Sequence, residues 1–277
     1  MSPPLGRPEP IIGSPQNARV RLARSLERDR AARDRSRTYL AWGIHLAQEA
    51  LAAGAEVREA FVAPGLEQVA EGRGLLERLR GAGVPLARAT RRILESIVEG
   101  SGDQGIVMLV RRPERDLPGL MASRPTLLVA AHGVQDPGNL GSILRTARAL
   151  GAEALLALPG CADPFGSRAV RAAMGAQFTL PVACADAPSA LAALRRAGVA
   201  LVAADPAGAE RPTEIDLRRP AAILVGSEGG GLPPPILEAA DHRVRIPMAP
   251  GVGSLNVHAA AAALLYEAAR QRGFRFR

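Results

Sequence analysis

From Thr126 onward, short apolar runs alternate regularly with helical stretches, and this alternation restricts the fold of the 277-residue chain more than any other feature. Strands are predicted at 126–131, 154–158, 179–182, 199–203, 221–225 and 243–246. Helices are predicted at 140–150, 167–174, 188–197, 234–240 and 255–272. Short, mostly apolar strands between helices indicate a mostly parallel sheet covered on both faces. Such sheets bind ligands at the carboxyl ends of their strands. The loops that follow the strands are therefore where chemistry is expected.

Residues 16–115 read as a smaller α/β unit. Apolar residues recur at helical spacing from Tyr39 to Ala53 (Leu40, Ile44, Leu46, Ala47, Ala50, Leu51). Residues 57–62 and 106–110 read as strands, 84–87 as extended, and 75–80 and 91–98 as helical. The Pro/Gly-rich residues 1–15 are expected to be disordered. Residues 116–125, in a stretch holding Pro113, Pro118 and Pro125, read as a linker to a domain over 126–277.

The net charge is +8, and all the basic residues are arginine. A positive surplus favours a polyanionic partner, and arginine grips phosphate bidentately. The densest run has Arg at 19, 21, 24, 28, 30, 33, 35 and 37. It reads either as a solvated helix face or as an arm gripping a nucleic-acid backbone, and the charge density favours the arm. Aromatic residues make up only 3%, which argues against a base-stacking platform. No apolar run approaches the ~20 residues of a membrane helix, and the first residues lack the apolar core of a signal peptide. Two cysteines and four histidines in no ligand spacing give neither a disulfide framework nor a metal site. A cytoplasmic protein is expected.

Four loops have the composition of sites. His132-Gly-Val-Gln-Asp136-Pro-Gly-Asn139 runs from a strand into a helix, with Asn139 as a candidate N-cap. Arg145 reads as lying within two turns of that helix's start, where the dipole opposes a cation. A phosphate-facing role explains it better than a structural one. Asp163-Pro-Phe-Gly-Ser-Arg168-Ala-Val-Arg171 places two arginines on a short helix. Gly226-Ser-Glu228-Gly-Gly-Gly231 lets main chain approach a ligand closely, while its carboxylate repels anions, so a neutral or cationic ligand is expected. Ile246-Pro-Met-Ala-Pro250-Gly-Val-Gly-Ser254-Leu-Asn256-Val leads into the last helix, with Ser254 as the candidate cap. Taken alone, that last stretch reads as a capped core helix. The common nucleotide fingerprints are missing from all four.

In order and spacing, Asp136-Pro-Gly-Asn139-Leu-Gly-(x)₃-Arg145, Gly226-Ser-Glu228-Gly-Gly-Gly-Leu232 and Ile246-Pro-Met-(x)₅-Ser254-Leu-Asn256 resemble the three motifs of the SpoU/TrmH family of SPOUT-class RNA 2′-O-ribose methyltransferases. Gln16-Asn17, Arg37-x-Tyr39-Leu40 and Gln104-Gly105 are similar, more weakly, to the family's substrate-binding domain. The resemblance implies a parallel-sheet α/β domain tied in a trefoil knot, preceded by a small α/β RNA substrate-binding domain. It implies S-adenosyl-L-methionine as methyl donor, a homodimer, no metal and no membrane. Gly226, Ile246 and Leu255 are implied as cofactor-binding. Asn139, Arg145, Glu228, Ser254 and Asn256 are implied in catalysis, and Arg145 and Arg171 in RNA binding. A ribosomal RNA substrate is expected; a transfer RNA, or a non-catalytic RNA-binding role, are the alternatives.

The chain departs from the family's habits in four places. Trp42 stands where Glu is usual, Ala173 where Ser is common, Pro250 where Gly is usual, and His258 where a small residue is usual. Pro250 is expected to stiffen the loop.

Overall fold

The computed structural model describes residues 11–98, 105–113 and 115–276. Gln104 and residues 1–10 of the segment expected to be disordered lie outside the described residues. Ile12, within that segment, makes a β-bridge with Ala89. The chain divides into two compact units, with the boundary after Arg112.

The first unit runs α1 (Ala18–Arg28), α2 (Arg30–Ser36), β1 (Thr38–Trp42), α3 (Ile44–Ala52), β2 (Val57–Val62), α4 (Ala70–Gly81), β3 (Leu86–Arg88), α5 (Arg91–Ile97) and β4 (Ile106–Arg111). Its sheet has the order β1-β4-β2-β3, with β4 antiparallel to both neighbours. Leu40, Trp42, Phe61, Leu94 and Val107 build its core. The helical reading of 39–53 is corrected here, because its first part is the strand β1. All five residues of β1 are buried, so neither face shows the polar alternation that marks a strand. Gly43, at φ 94°, then turns the chain into α3, a conformation open to glycine.

The second unit runs α6 (Leu117–Ala122), β5 (Leu127–Ala131), α7 (Pro137–Ala149), β6 (Ala154–Ala157), α8 (Ser167–Ala173), β7 (Val182–Cys184), α9 (Ala187–Arg196), β8 (Ala200–Ala204), β9 (Ala221–Val225), α10 (Pro234–Ala239), β10 (His242–Val244) and α11 (Val257–Gln271). Its sheet has the order β10-β8-β9-β5-β6-β7, parallel throughout. This is the architecture the alternation predicts, although β7 begins at Val182 rather than at 179.

Residues 116–125, read as a linker, contain α6, and Leu120 is buried in the core of the second unit with Leu128, Leu156 and Leu194. Pro118 does not break this helix because it sits in the first turn, where its missing N–H has no partner to lose. Asp116 caps it by accepting from Gly119 N at 2.8 Å.

Two features place the site. Strands β8, β9 and β10 end side by side, so the loops after them meet. The chain leaving the edge strand β10 returns to the middle of the unit, where α11 packs on α7 and β9. No helix among the described residues is long and apolar enough to cross a membrane.

Candidate active site

The turn after β9 is built from main chain. Ser227 N donates to Gly231 O at 3.1 Å and Gly231 N to Ser227 O at 3.0 Å, while Ser227 Oγ accepts from Gly230 N at 3.1 Å. Gly231 has φ 64°. The turn folds so tightly over Gly226 that a Cβ there would run into the Gly231 carbonyl group. Glu228 is left exposed at the tip.

The N-cap of α7 is Asp136, not Asn139: Asp136 Oδ1 accepts from Asn139 N at 2.7 Å. Asn139 is thereby released from capping, and its side chain spans two loops. Its Nδ2 donates to Glu228 Oε1 at 2.7 Å, and its Oδ1 accepts from Asn256 Nδ2 at 3.2 Å. Asn256, not Ser254, caps α11, with its Oδ1 accepting from His258 N at 2.9 Å. Each of the three loops thus supplies one member of a single polar chain, Glu228–Asn139–Asn256. Ser254 takes no part in it and lines the cleft instead.

Arg145 lies beyond the second turn of α7, because that helix starts at Pro137 and not at 140. The dipole at the start of α7 therefore does not act on Arg145, since it falls off within the first turn. What marks Arg145 is its surroundings: it is exposed, and it has no hydrogen bond or ion pair among the described residues. On the next residue, Thr146 Oγ1 shares a 2.8 Å hydrogen bond with His258 Nε2, so one departure from family habit pins α11 to α7. Arg171 is exposed on α8. That helix lies so close to α7 that a Cβ on Gly141 would collide with Ala169 O.

A cleft of about 340 Å³ opens at the carboxyl ends of β8, β9 and β10, within the roughly 300–1,000 Å³ range of small-molecule sites. Gly226, Ile246 and Leu255, the expected cofactor residues, all line it, as do Glu228 and Ser254. Asn139, Arg145, Asn256 and Arg171 stand outside its lining. Val225, Leu232, Val244 and Val257 make apolar walls. Among its described lining residues are two carboxylates, Asp205 and Glu228, and no basic side chain.

Asp205 was not expected at the cleft. It is buried, with Oδ2 accepting from Arg243 Nε at 2.8 Å and Oδ1 from Ala207 N at 2.9 Å. Its signal was present in Asp205-Pro-Ala-Gly, a turn sequence directly after a strand. Pro250 is explained locally. Ala249 O accepts from Val252 N at 3.2 Å with Gly251 at φ 85°, the type II pattern with proline second and glycine third. Among the described residues, no group of three or more His, Cys, Asp or Glu is placed to hold a metal ion.

A parallel sheet with an apolar cleft at its strand ends, and with Arg145 and Arg171 exposed and without an ion pair among the described residues, has the make-up of an α/β enzyme. Residues 126–266 match the SpoU rRNA Methylase family, and residues 40–115 match the RNA 2′-O ribose methyltransferase substrate-binding domain. The chain belongs to the SpoU rRNA methylase family. It is 31% identical to the 23S rRNA (guanosine(2553)-2′-O)-methyltransferase of Bacillus subtilis, over 92% of this chain and 97% of the relative. It is 32% identical to the 23S rRNA (uridine(2479)-2′-O)-methyltransferase of Streptomyces viridochromogenes, over 93% and 91% of the two chains. Among solved structures, the AdoMet-bound rRNA methyltransferase of Sinorhizobium meliloti superposes with a TM-score of 0.82 at 30% identity, covering 94% of this chain and 97% of that one.

Proposed function

We propose that the chain transfers a methyl group from S-adenosylmethionine to a ribose 2′-OH of ribosomal RNA. The carrying observation is the cleft, which is apolar, walled by glycine main chain and edged by the exposed Glu228 carboxylate, with no basic residue in its lining and with Asp205 paired to Arg243. That chemistry suits an adenosyl sulfonium and repels a phosphate.

Gly226, Ile246 and Leu255 hold the cofactor in the cleft, largely through backbone and apolar contact. Bound there, it supplies an electrophilic methyl on a positively charged sulfur. As the 2′-oxygen is methylated, its proton would pass to solvent water at the exposed mouth of the cleft. A ribose hydroxyl is a weak nucleophile, so rate depends on alignment and on a proton acceptor. The Arg145 guanidinium anchors the phosphate of the target nucleotide, and Arg171 on the adjoining helix extends that grip. Asn139, itself held by Asn256, fixes Glu228 at the cleft rim, and Ser254 also lines the cleft.

This reading carries a trefoil knot and a homodimer acting in the cytoplasm. Supporting the knot, the segment between β10 and α11 passes beside the 226–232 turn on its way back to α7 and β9. Supporting the dimer, Tyr266 is exposed on α11 beside exposed Phe274. The decisive experiment maps ribose methylations in RNA from cells with and without the protein. Loss of a ribosomal 2′-O-methyl mark is expected, and an unchanged pattern overturns the proposal. Calorimetry with S-adenosylmethionine separates the enzyme from a non-catalytic RNA-binding protein, which would give no heat.

A further inference from the structure

Helix α1 packs Val20, Ala23 and Leu26 into the core of the first unit. At 100° per residue, Arg21, Arg24 and Arg28 fall within an arc of about 60° on the opposite side. At 1.5 Å per residue they span about 10 Å along the axis.

Most of the arginines around them are already committed. Arg19 pairs with Glu59, Arg30 with Asp34 at 3.7 Å, and Arg35 with Asp29 at 3.7 Å. Arg33 is buried and donates to the carbonyls of Leu26 and Glu27. Arg21, Arg24 and Arg28 have neither ion pair nor side-chain hydrogen bond among the described residues. Arg37 is also uncommitted, but it lies beyond α2. The stripe is thus three like charges at i, i+3 and i+7 that make no ion pair among the described residues; the close pairs repel on an isolated helix, a cost that a polyanion opposite them would offset.

The aromatic residues of this unit decide which part of the polyanion is met. Tyr39, Trp42 and Phe61 are all buried, so no ring is offered for base stacking. With no aromatic platform, the bidentate grip of arginine on phosphate is the contact the stripe favours. The substrate-binding match begins only at residue 40, so α1 lies outside it.

We propose that Arg21, Arg24 and Arg28 form a phosphate-gripping stripe that holds the RNA backbone independently of sequence. The proposal rests on the RNA substrate argued above. Its test measures binding of the full chain to purified, protein-free ribosomal RNA between about 50 and 200 mM salt. The triple variant Arg21→Gln/Arg24→Gln/Arg28→Gln is expected to flatten the slope of log K against log salt by about 2, at ~0.7 per phosphate contact on single strands. In methyl transfer it should raise KM for RNA and leave kcat and S-adenosylmethionine affinity unchanged. The matching triple lysine variant keeps the charge and should restore the slope.

An unchanged slope and KM in the glutamine triple overturns the stripe, as does a lysine triple that behaves like the glutamine one. If the glutamine triple fails to bind S-adenosylmethionine through misfolding, the single variants decide, each expected to flatten the slope by ~0.7; an unchanged slope in all three singles overturns the stripe. If the unaltered protein methylates RNA while the stripe fails, only the stripe falls. If the unaltered protein neither binds nor methylates RNA, both readings fall.

Discussion

Asn139 and Glu228, 89 residues apart in sequence, are joined by a 2.7 Å hydrogen bond from amide Nδ2 to carboxylate Oε1. An amide has a fixed donor end and acceptor end. Because Asn139 gives its donor to Glu228, its oxygen is the atom left to receive Asn256 Nδ2. The orientation of one amide therefore fixes the alignment of three loops.

Removing the middle of this chain should slow chemistry more than it weakens cofactor binding. Asn139→Ala is expected to lower single-turnover methyl transfer about tenfold, equivalent to about 1.4 kcal/mol. A double-mutant cycle of Asn139→Ala with Glu228→Gln should give a coupling energy of roughly 0.5–3 kcal/mol in the rate, as groups in direct contact do. Additive effects would mean that the bond does not act in the reaction.

Arg145 is exposed and makes no hydrogen bond or ion pair among the described residues, so it is available for function. Arg145→Ala should leave stability within about 0.5 kcal/mol while reducing methyl transfer to RNA on the order of 100-fold. Thermal melting and a radiolabelled methyl assay read the two effects separately. Full transfer by the alanine variant would remove Arg145 from the active site.

Gly226→Ala forces a Cβ against the Gly231 carbonyl group and must displace the turn that walls the cleft. Calorimetry should show S-adenosylmethionine affinity falling at least about tenfold, or about 1.4 kcal/mol. The effect should be largely absent in Gly229→Ala, where a Cβ meets open space.

Gly141→Ala tests packing without touching the cleft. The added methyl meets Ala169 O where α7 crosses α8. A loss of about 1–3 kcal/mol in denaturant unfolding is expected, as for other overpacked sites.

Glu267 on α11 sets an acid-sensitive contribution to stability. The Arg270 guanidinium, bonded to it at 2.8 Å, and then the Gln271 amide hold its carboxyl below the ordinary carboxylate range, although burial pushes the other way. A carboxyl whose pKa is lower folded than unfolded stabilises the protein above its unfolded pKa, and loses that effect as pH falls through the folded value. Unfolding of wild type and Glu267→Gln should therefore differ at pH 7 and converge as pH drops below the ordinary carboxylate range. A difference that stays constant with pH would count against this account.

The loops of the site were legible because their residue types are chemically unusual: glycines around a lone carboxylate, and Asp-Pro-Gly-Asn after a strand. The parallel sheet was legible from its alternation. Errors arose where local and tertiary signals coincide. Strand β1 is apolar on both faces and looks like a helix segment, and Pro118 looks like a breaker when it is only a first-turn residue. Asn139 and Ser254 are both plausible caps by type, yet the caps are Asp136 and Asn256. Only a partner across space tells a capping amide from a bridging one. The same limit hid the Thr146–His258 contact, since nothing local pairs residues 112 apart.

The polar chain draws its last member, Asn256, from a position after every strand of the second unit's sheet, and α11 can dock on α7 only after that. Synthesis runs from the N-terminus, and domains fold as they emerge. The first unit, with its arginine helix, is therefore complete while the catalytic half is still being made. A nascent chain thus presents its folded first unit before the Glu228–Asn139–Asn256 chain can close, and the cleft takes shape only once α11 has emerged.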